Sequence, residues 1–356
     1  MTHRELFHEI MFYGKFDRTP VVHWAGWPET RTRWLAEGLP ADVDERKFFN
    51  ATAHWAFVGV NVELWPLFPE ETIEETSTYR VFRAGDGVIQ KAWKNQSSIP
   101  HYLDFTLRAA ADWPKYQARL QPDPGRIPPT LADQIQAAEN SNLAIGIGTG
   151  SMMGWIRNWM GVENMAYLMH DDPAVYGEMV DTIAELTCWG IDQVVPKMKA
   201  PPIMGFGWED IAGKSGPLVS PEIFNKYVAP GYRKVRQKLE HYGVQLLGVD
   251  SDGLVEPLLG PWLAAGVNLV FPIEIGTWNA DPFAVRRRYG KELRIVGGFN
   301  KLALEHGPAA IDAELERRLP LLKDGGFMLM PDHLITPGTS LANYRYFLER
   351  LRTLRF

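Results

Sequence analysis

The stretch LLGVDSDGL, residues 246–254, carries an apolar run up to two aspartates, Asp250 and Asp252, one residue apart. In an extended chain, residues two apart face the same side. Two like charges so placed repel. One must take a proton, find a cationic side chain such as Lys301 or a histidine, or share a bound cation. His333 ends another apolar run, GGFMLMPDH at 325–333. Asp250, Asp252 and His333 would offer two carboxylates and an imidazole, a donor set for zinc or a harder divalent ion. A D-x-D pair alone is a weak signal and gains weight only if the fold brings His333 alongside. Adjacent acids Glu209 and Asp210 end PPIMGFGWED, 201–210. Paired carboxylates whose surroundings split their pKa values can donate and accept protons without a metal. A third chemistry is glycoside cleavage: Glu63, Glu209 and Glu274 occur beside Trp24, Trp65 and Trp208, as a carboxylate pair would beside sugar-stacking rings.

These residues share a position. Each follows a short apolar run bounded by Gly, Pro or an acid, which is how parallel strands buried on both faces read. The runs are 20–26, 58–65, 142–150, 201–210, 243–252, 266–274, 293–300 and 325–333. In order they end on His23 and Trp24; Glu63 and Trp65; Thr149 and Ser151; Trp208, Glu209 and Asp210; Asp250 and Asp252; Glu274; Asn300 and Lys301; and Asp332 and His333. Helical periodicity lies between most runs, with Pro173 and the Ser220-Pro221 pair as helix starts. Eight strands alternating with helices predict an α/β fold, a (β/α)₈ TIM barrel, as one domain over 1–356. An open doubly wound sheet would need a G-x-G-x-x-G loop, which GIGTGSMMGW at 146–155 does not supply. Active sites of such barrels form at the carboxyl ends of the strands. The polar residues above would then converge on one cavity, with His23, Trp24, Glu63, Trp65, Trp208, Asn300 and Lys301 as its substrate-binding lining. Between strands two and three, TSTYRVFRAGDGVIQKAWKNQ at 76–96 reads as an inserted β-hairpin about Gly85-Asp86-Gly87, placed to cover the mouth.

Net charge is −6, so neither nucleic acid nor an anionic membrane is an expected partner, since both call for basic patches. The single cysteine, Cys188, forms no disulfide within the chain and reads as a buried helical thiol. No apolar run is long enough to span a bilayer, and the start MTHRELFHEIMFYGK lacks a signal peptide's apolar core. A cytoplasmic enzyme acting on a small molecule is expected.

The segment GWEDIAGKSGPLVSPEIFNKYVAPGYRKV, 207–235, resembles the uroporphyrinogen decarboxylase superfamily. So do GVDSDGLVEPLL, GGFNK and GGFMLMPDHLITPGTSLAN, in that order, and more loosely DRTPVVHWAG at 17–26. The resemblance implies a (β/α)₈ barrel and one of two chemistries: decarboxylation of tetrapyrrole acetate groups, or methyl transfer from a corrinoid protein. The tetrapyrrole decarboxylases carry an arginine-bearing M-R-Q-A-G-R motif after the first strand. Here the matching stretch is HWAGWPET, 23–30, with no arginine and an added acid. A polyanionic substrate would meet no guanidinium fork there. The coenzyme M methyltransferases carry H-x-C on the fifth strand and Cys on the eighth as zinc ligands. The positions matching these are Asp250, Asp252 and His333, a harder set than thiolates. The resemblance therefore favours corrinoid-linked methyl transfer or a related one-carbon step. The corrinoid would sit on a separate protein, because the chain has no D-x-H-x-x-G cobalamin loop. A homodimer is a further expectation from the superfamily, and a binder that kept the barrel and lost the chemistry is the non-enzymatic alternative.

Overall fold

The structure is a computed structural model that describes residues 1–95 and 100–356. Seven parallel strands form one curled sheet: β1 (Ala56–Val58), β6 (Ile145–Gly148), β7 (Met204–Trp208), β10 (Leu246–Asp250), β11 (Leu269–Ile273), β12 (Arg294–Phe299) and β13 (Phe327–Pro331), adjacent in that order. Six of the eight expected segments thus contain a strand at the expected place. Nearly every residue of β11, β12 and β13 is buried, which is why these strands read as unbroken apolar runs rather than alternating ones.

The segment 20–26 closes the ring without becoming a regular strand. It makes one parallel bridge from Val22 to Thr52, just before β1, and another from Gly26 to Ile335, just after β13. It therefore occupies the eighth place of a (β/α)₈ barrel. Proline 20 brings no N–H to a ladder, which limits the pairing.

The segment 58–65 also differs. The strand is Ala56–Val58, paired with Ile145–Ile147, and ends where it was expected to begin. Beyond it, Val62 and Leu64 are buried as the alternation demands, but among the described residues the backbone has no neighbouring strand. Arg126 takes that role. Its buried guanidinium donates to the carbonyls of Asn61 and Glu63 at 3.2 and 2.7 Å, and also to that of Arg119.

The insertion is larger than a hairpin. Strands β2 (Glu71–Glu75), β3 (Tyr79–Arg83), β4 (Val88–Trp93) and β5 (His101–Phe105) form a four-stranded antiparallel sheet. The expected turn joins β3 to β4, with Gly87 at φ +86° where a side chain would be strained. The last residue of the expected hairpin segment, Gln96, lies outside the described residues. The sheet packs on the helix Gly154–Asp171, with Phe105 filling the space where a side chain at Gly161 would lie. A two-residue ribbon, β8 (Ala212–Gly213) with β9 (Gly216–Pro217), follows β7.

Two cores follow from this arrangement. The larger lies between the sheet and the outer helices, which include Pro173–Val194, Ala229–His241 and Leu341–Thr353. The smaller fills the barrel. There the helix His3–Met11, opened by a Thr2–Glu5 capping box, buries Leu6, Phe7, Ile10 and Met11 against Met204, Leu246, Leu269 and Val296 near the strand starts. That end is shut, so the carboxyl end is left open for a site. Cys188 is buried on the helix Pro173–Val194, and burial pushes its thiol up to about 11. No helix among the described residues is long and apolar enough to cross a membrane.

Candidate active site at the carboxyl end of the barrel

Four acids and a histidine meet where β7, β10, β11 and β13 end. Asp210, Asp250 and Asp252 each present a carboxylate oxygen within 4.8 Å of the others, and so do Asp252 and Glu274 with a ring nitrogen of His333. Asp252 belongs to both groups. The expected set of Asp250, Asp252 and His333 is therefore bridged by Asp252 rather than forming a single triad, and Asp210 and Glu274 complete it.

The electrostatics follow from burial. Burial and the neighbouring charges of Asp252, Asp210 and Glu274 push the Asp250 carboxyl well above the usual carboxylate range. Among the described residues no donor hydrogen-bonds that carboxyl. Asp210 is raised as well, chiefly by burial, though it accepts the Asp252 backbone N–H at 3.1 Å. Its backbone sits at φ +48°, unusual for a residue with a side chain, and Arg157 donates to its carbonyl. His333 meets Asp252 through Nε2 at 3.1 Å. Burial works against its charged form, yet the Asp252 hydrogen bond and charge carry it above the usual imidazole value. Trp27 stacks on the ring at 5.9 Å and Trp24 meets its edge at 5.8 Å, which fixes the ring's plane.

Lys301 is the buried cation of the mouth. Its Nζ donates to Glu274 Oε1 at 3.0 Å and to Thr277 at 2.9 Å, and lies 4.0 Å from Asp332. Asp332 itself accepts three backbone N–H groups, from Ile275, Gly276 and Lys301, at 2.6–3.0 Å. It ties two loops together from behind the cavity.

Beside the acids, at the ends of β1, β6, β7 and β10, is a cavity of about 420 Å³ lined by Phe57, Glu63, Trp155, Phe206, Trp208 and Asp250 among others. Glu63 and Trp208, both expected at the mouth, line it. Trp24 stands on the other side, against Phe271 and His333.

Several expected residues are placed elsewhere. Glu209 is fully buried behind the wall and faces the helix Gly154–Asp171. Its carboxylate accepts Met152, Met153 and Gly154 backbone N–H groups at 2.8, 2.9 and 2.6 Å, Ser151 at 3.0 Å and the Tyr232 hydroxyl. Burial raises its pKa while the donors pull the other way. Strand alternation turns Trp208 toward the mouth and Glu209 away from it, and the left-handed backbone at Asp210 brings that carboxyl back to the mouth. The same rule turns His23 outward, where it bonds Tyr344 at 2.8 Å and Glu45 at 2.9 Å, while Val22 and Trp24 face inward. Asn300 caps the short helix Lys301–His306 by accepting the Leu302 N–H. Trp65 lies over Arg126, because the strand expected to carry it ends at Val58. Thr149 is buried at the end of β6, and Ser151 serves Glu209.

Sequence reasoning missed Phe57, Trp155, Trp27, Arg157 and His54. Phe57 lies on β1 and His54 just before it, and the run expected to hold this strand began only at residue 58. Arg157 and Trp155 begin a helix, where only the fold shows that they look back at the barrel. Trp27 shares the stretch 23–30 with the expected Trp24, and that spacing was the available signal.

The profile of the uroporphyrinogen decarboxylase family matches residues 134–354, well over half the chain. Among solved structures, a methyltransferase from Methanosarcina mazei superposes with a TM-score of 0.62 at 14% identity, covering 99% of this chain and 98% of that one. That likeness shows the fold. A second structure, titled "Putative Vitamin-B12 Independent Methionine Synthase" from Listeria monocytogenes, covers 64% of this chain and 67% of that one at 13% identity. Its TM-score is 0.33, too low to compare sites. The profile match spans every strand from β6 onward and the acids they carry, and on that ground the chain belongs to the uroporphyrinogen decarboxylase family.

Proposed function

We propose that this chain is a small-molecule enzyme that performs methyl transfer, or a related one-carbon step, at the acidic mouth, using a corrinoid carried on a separate protein. The observation that supports this most is the sign of the charge there. Asp210, Asp250, Asp252 and Glu274 crowd together, and the buried cation among them, Lys301, is committed to Glu274. A tetrapyrrole bearing many carboxylates would be repelled. The nearby arginines are already engaged: Arg31 with Glu45, and Arg157 with the Asp210 carbonyl and Asn158. The fold likeness to a methyltransferase agrees with this reading, and the harder donor set at the positions where thiol-activating relatives carry cysteine points to a different metal or an acceptor other than a thiol. Glycoside cleavage loses Glu209, which is held by the helix.

The same oxygens fit a divalent ion. Crowded carboxylates without enough cationic partners are a site that either keeps protons or gains a cation. Asp252 would be common to any such site, joined by Asp210 and Asp250 or by Glu274 and His333. When bound, zinc or a harder ion would supply Lewis-acid polarisation of the acceptor. The chain's own groups do the rest. Asp252 orients His333 and favours its charged form, so that the ring can donate a proton or a hydrogen bond into the mouth. Lys301 holds Glu274 in place. Trp24 and Trp27 keep the imidazole plane fixed and exclude water from one face.

The test has two readouts on purified full-length protein. Elemental analysis would find a divalent metal near one equivalent. Turnover of methylcobalamin with a panel of thiol and amine acceptors would fall at least about a hundredfold in Asp250→Asn/His333→Ala, the scale of removing a general acid–base group. A double variant that turns over like the wild type excludes the reading.

A further inference from the structure

The cavity beside the acids has an unusual lining. Phe57, Trp155, Phe206 and Trp208 supply its aromatic walls, Asp250 and Glu63 supply carboxylates, and no lysine, arginine or histidine lines it among the described residues. Phe57 is 49% exposed although it lies on a barrel strand. A large apolar ring left uncovered inside a cavity is a wall awaiting contact. Its neighbour Phe206 lies 5.9 Å away, so the two form a continuous apolar face. Gly148 keeps the space open: a Cβ built there would meet no atom within 4 Å. At about 420 Å³ the cavity has room for an organic molecule and is far larger than a bare ion needs. Arg157 lies 6.0 Å over Trp208 from outside the lining and engages one ring face.

Aromatic faces attract cations through the ring quadrupole, and acids beside them add charge complementarity. An anion would find no donor side chain of opposite charge here, and a neutral apolar ligand would leave the carboxylates desolvated without a partner. We infer that this cavity binds a small organic cation of the quaternary ammonium class, its methylated head against Phe57, Phe206 and Trp208 and its charge facing Asp250. A quaternary nitrogen has no lone pair to accept a methyl group, so the inference names the product class of transfer to a tertiary amine at the site proposed above, and rests on that site being where the small molecule enters.

The test is calorimetric titration of the full-length protein with choline and with its neutral isostere 3,3-dimethylbutan-1-ol. Choline should bind at least about tenfold more tightly, because the two differ in charge and hardly in shape. Gly148→Leu should abolish choline binding while leaving the melting temperature near that of the wild type, since the new side chain enters empty space. Phe57→Leu, which keeps an apolar side chain and removes the ring, should weaken choline binding about tenfold and leave the isostere unchanged. Equal binding of the two ligands, no binding of choline, or undiminished binding by Gly148→Leu would each overturn the inference. None of these titrations requires turnover. A protein that binds choline without transferring a methyl group would sink the reaction proposed above and leave the ligand class standing, and the converse result would do the opposite.

Discussion

Glu209 offers the sharpest test of what burial does to an acid in this barrel. Glu209→Gln keeps the side chain's shape and removes its charge. Oε2 accepts Ser151, Met153 N–H and Gly154 N–H, so the amide oxygen must stay on that side. The amide nitrogen then faces the Met152 N–H and the Tyr232 hydroxyl. The hydroxyl can rotate to accept, but the Met152 N–H cannot, and a buried donor left unpaired costs about 1–3 kcal/mol. Losing the negative charge at a helix N-terminus adds roughly 0.3–2 kcal/mol. Relief of the charge's own burial offsets part of this, leaving about 1–3 kcal/mol net. With about 2 cal/mol/K of unfolding entropy per residue, a chain of 356 residues loses a little over 1 °C per kcal/mol. The melting temperature should therefore fall by about 1–4 °C in differential scanning fluorimetry. Turnover measured well below that temperature should stay within a few-fold of wild type. A group acting as the catalytic acid would show the reverse, with stability held or gained and turnover lost. An unchanged or raised melting temperature would refute the capping role.

Lys301→Met strands Glu274 as an unpaired buried charge and should cost about 3–5 kcal/mol in thermal or urea unfolding, whereas Lys301→Met/Glu274→Gln should recover most of it. His3 and His54 are both held down to about 4 by burial, so between the ordinary imidazole value of 6.5 and that point the unfolded chain takes up protons that the folded chain refuses. Stability present above pH 6.5 is thus lost as the pH falls toward 4, by up to about 3 kcal/mol per ring, and His54→Phe should flatten the slope of melting temperature against pH. If a divalent ion binds the mouth, adding it at a hundred times its dissociation constant should stabilise the fold by about 2.7 kcal/mol. Asp252→Asn should remove that gain most completely, because Asp252 serves both ligand groups; an equal gain in the variant would place the ion elsewhere.

The barrel was legible in the chain because its strands are buried on both faces, and such runs need no neighbour to be recognised. It failed where a different partner satisfied the backbone. Val62 and Leu64 alternate as a strand would, but their carbonyl neighbours are served by Arg126, and nothing local marks a guanidinium 63 and 65 residues away in sequence as a substitute for a sheet. The site was legible to the level of which segments end in acids. It was less legible at the level of direction. One residue of register decides whether an acid faces the mouth, like Asp210, or the helix behind it, like Glu209, and the sequence places both at the end of one run. Phe57 was missed for the same reason as the strand that carries it.

The acids at this end of the barrel divide by what their oxygens meet. Glu209 and Asp332 are saturated by backbone N–H groups, which can only donate, so each is fixed to the loops it joins. Asp250 is only partly buried, at the open end of β10, and receives no such donors, and its charge is opposed by three neighbours. A fold that needed Asp250 only for stability would gain by replacing it with asparagine or an apolar residue, because an unsatisfied buried carboxyl opposes folding. Asp250→Asn should accordingly raise the melting temperature. The comparison with Glu209→Gln is then decisive within one protein: two conservative amide substitutions, two residues of one acidic end, and opposite signs. A fall in melting temperature for Asp250→Asn would mean that its carboxyl has an organising partner, and the case for an acid held ready for a ligand would fail.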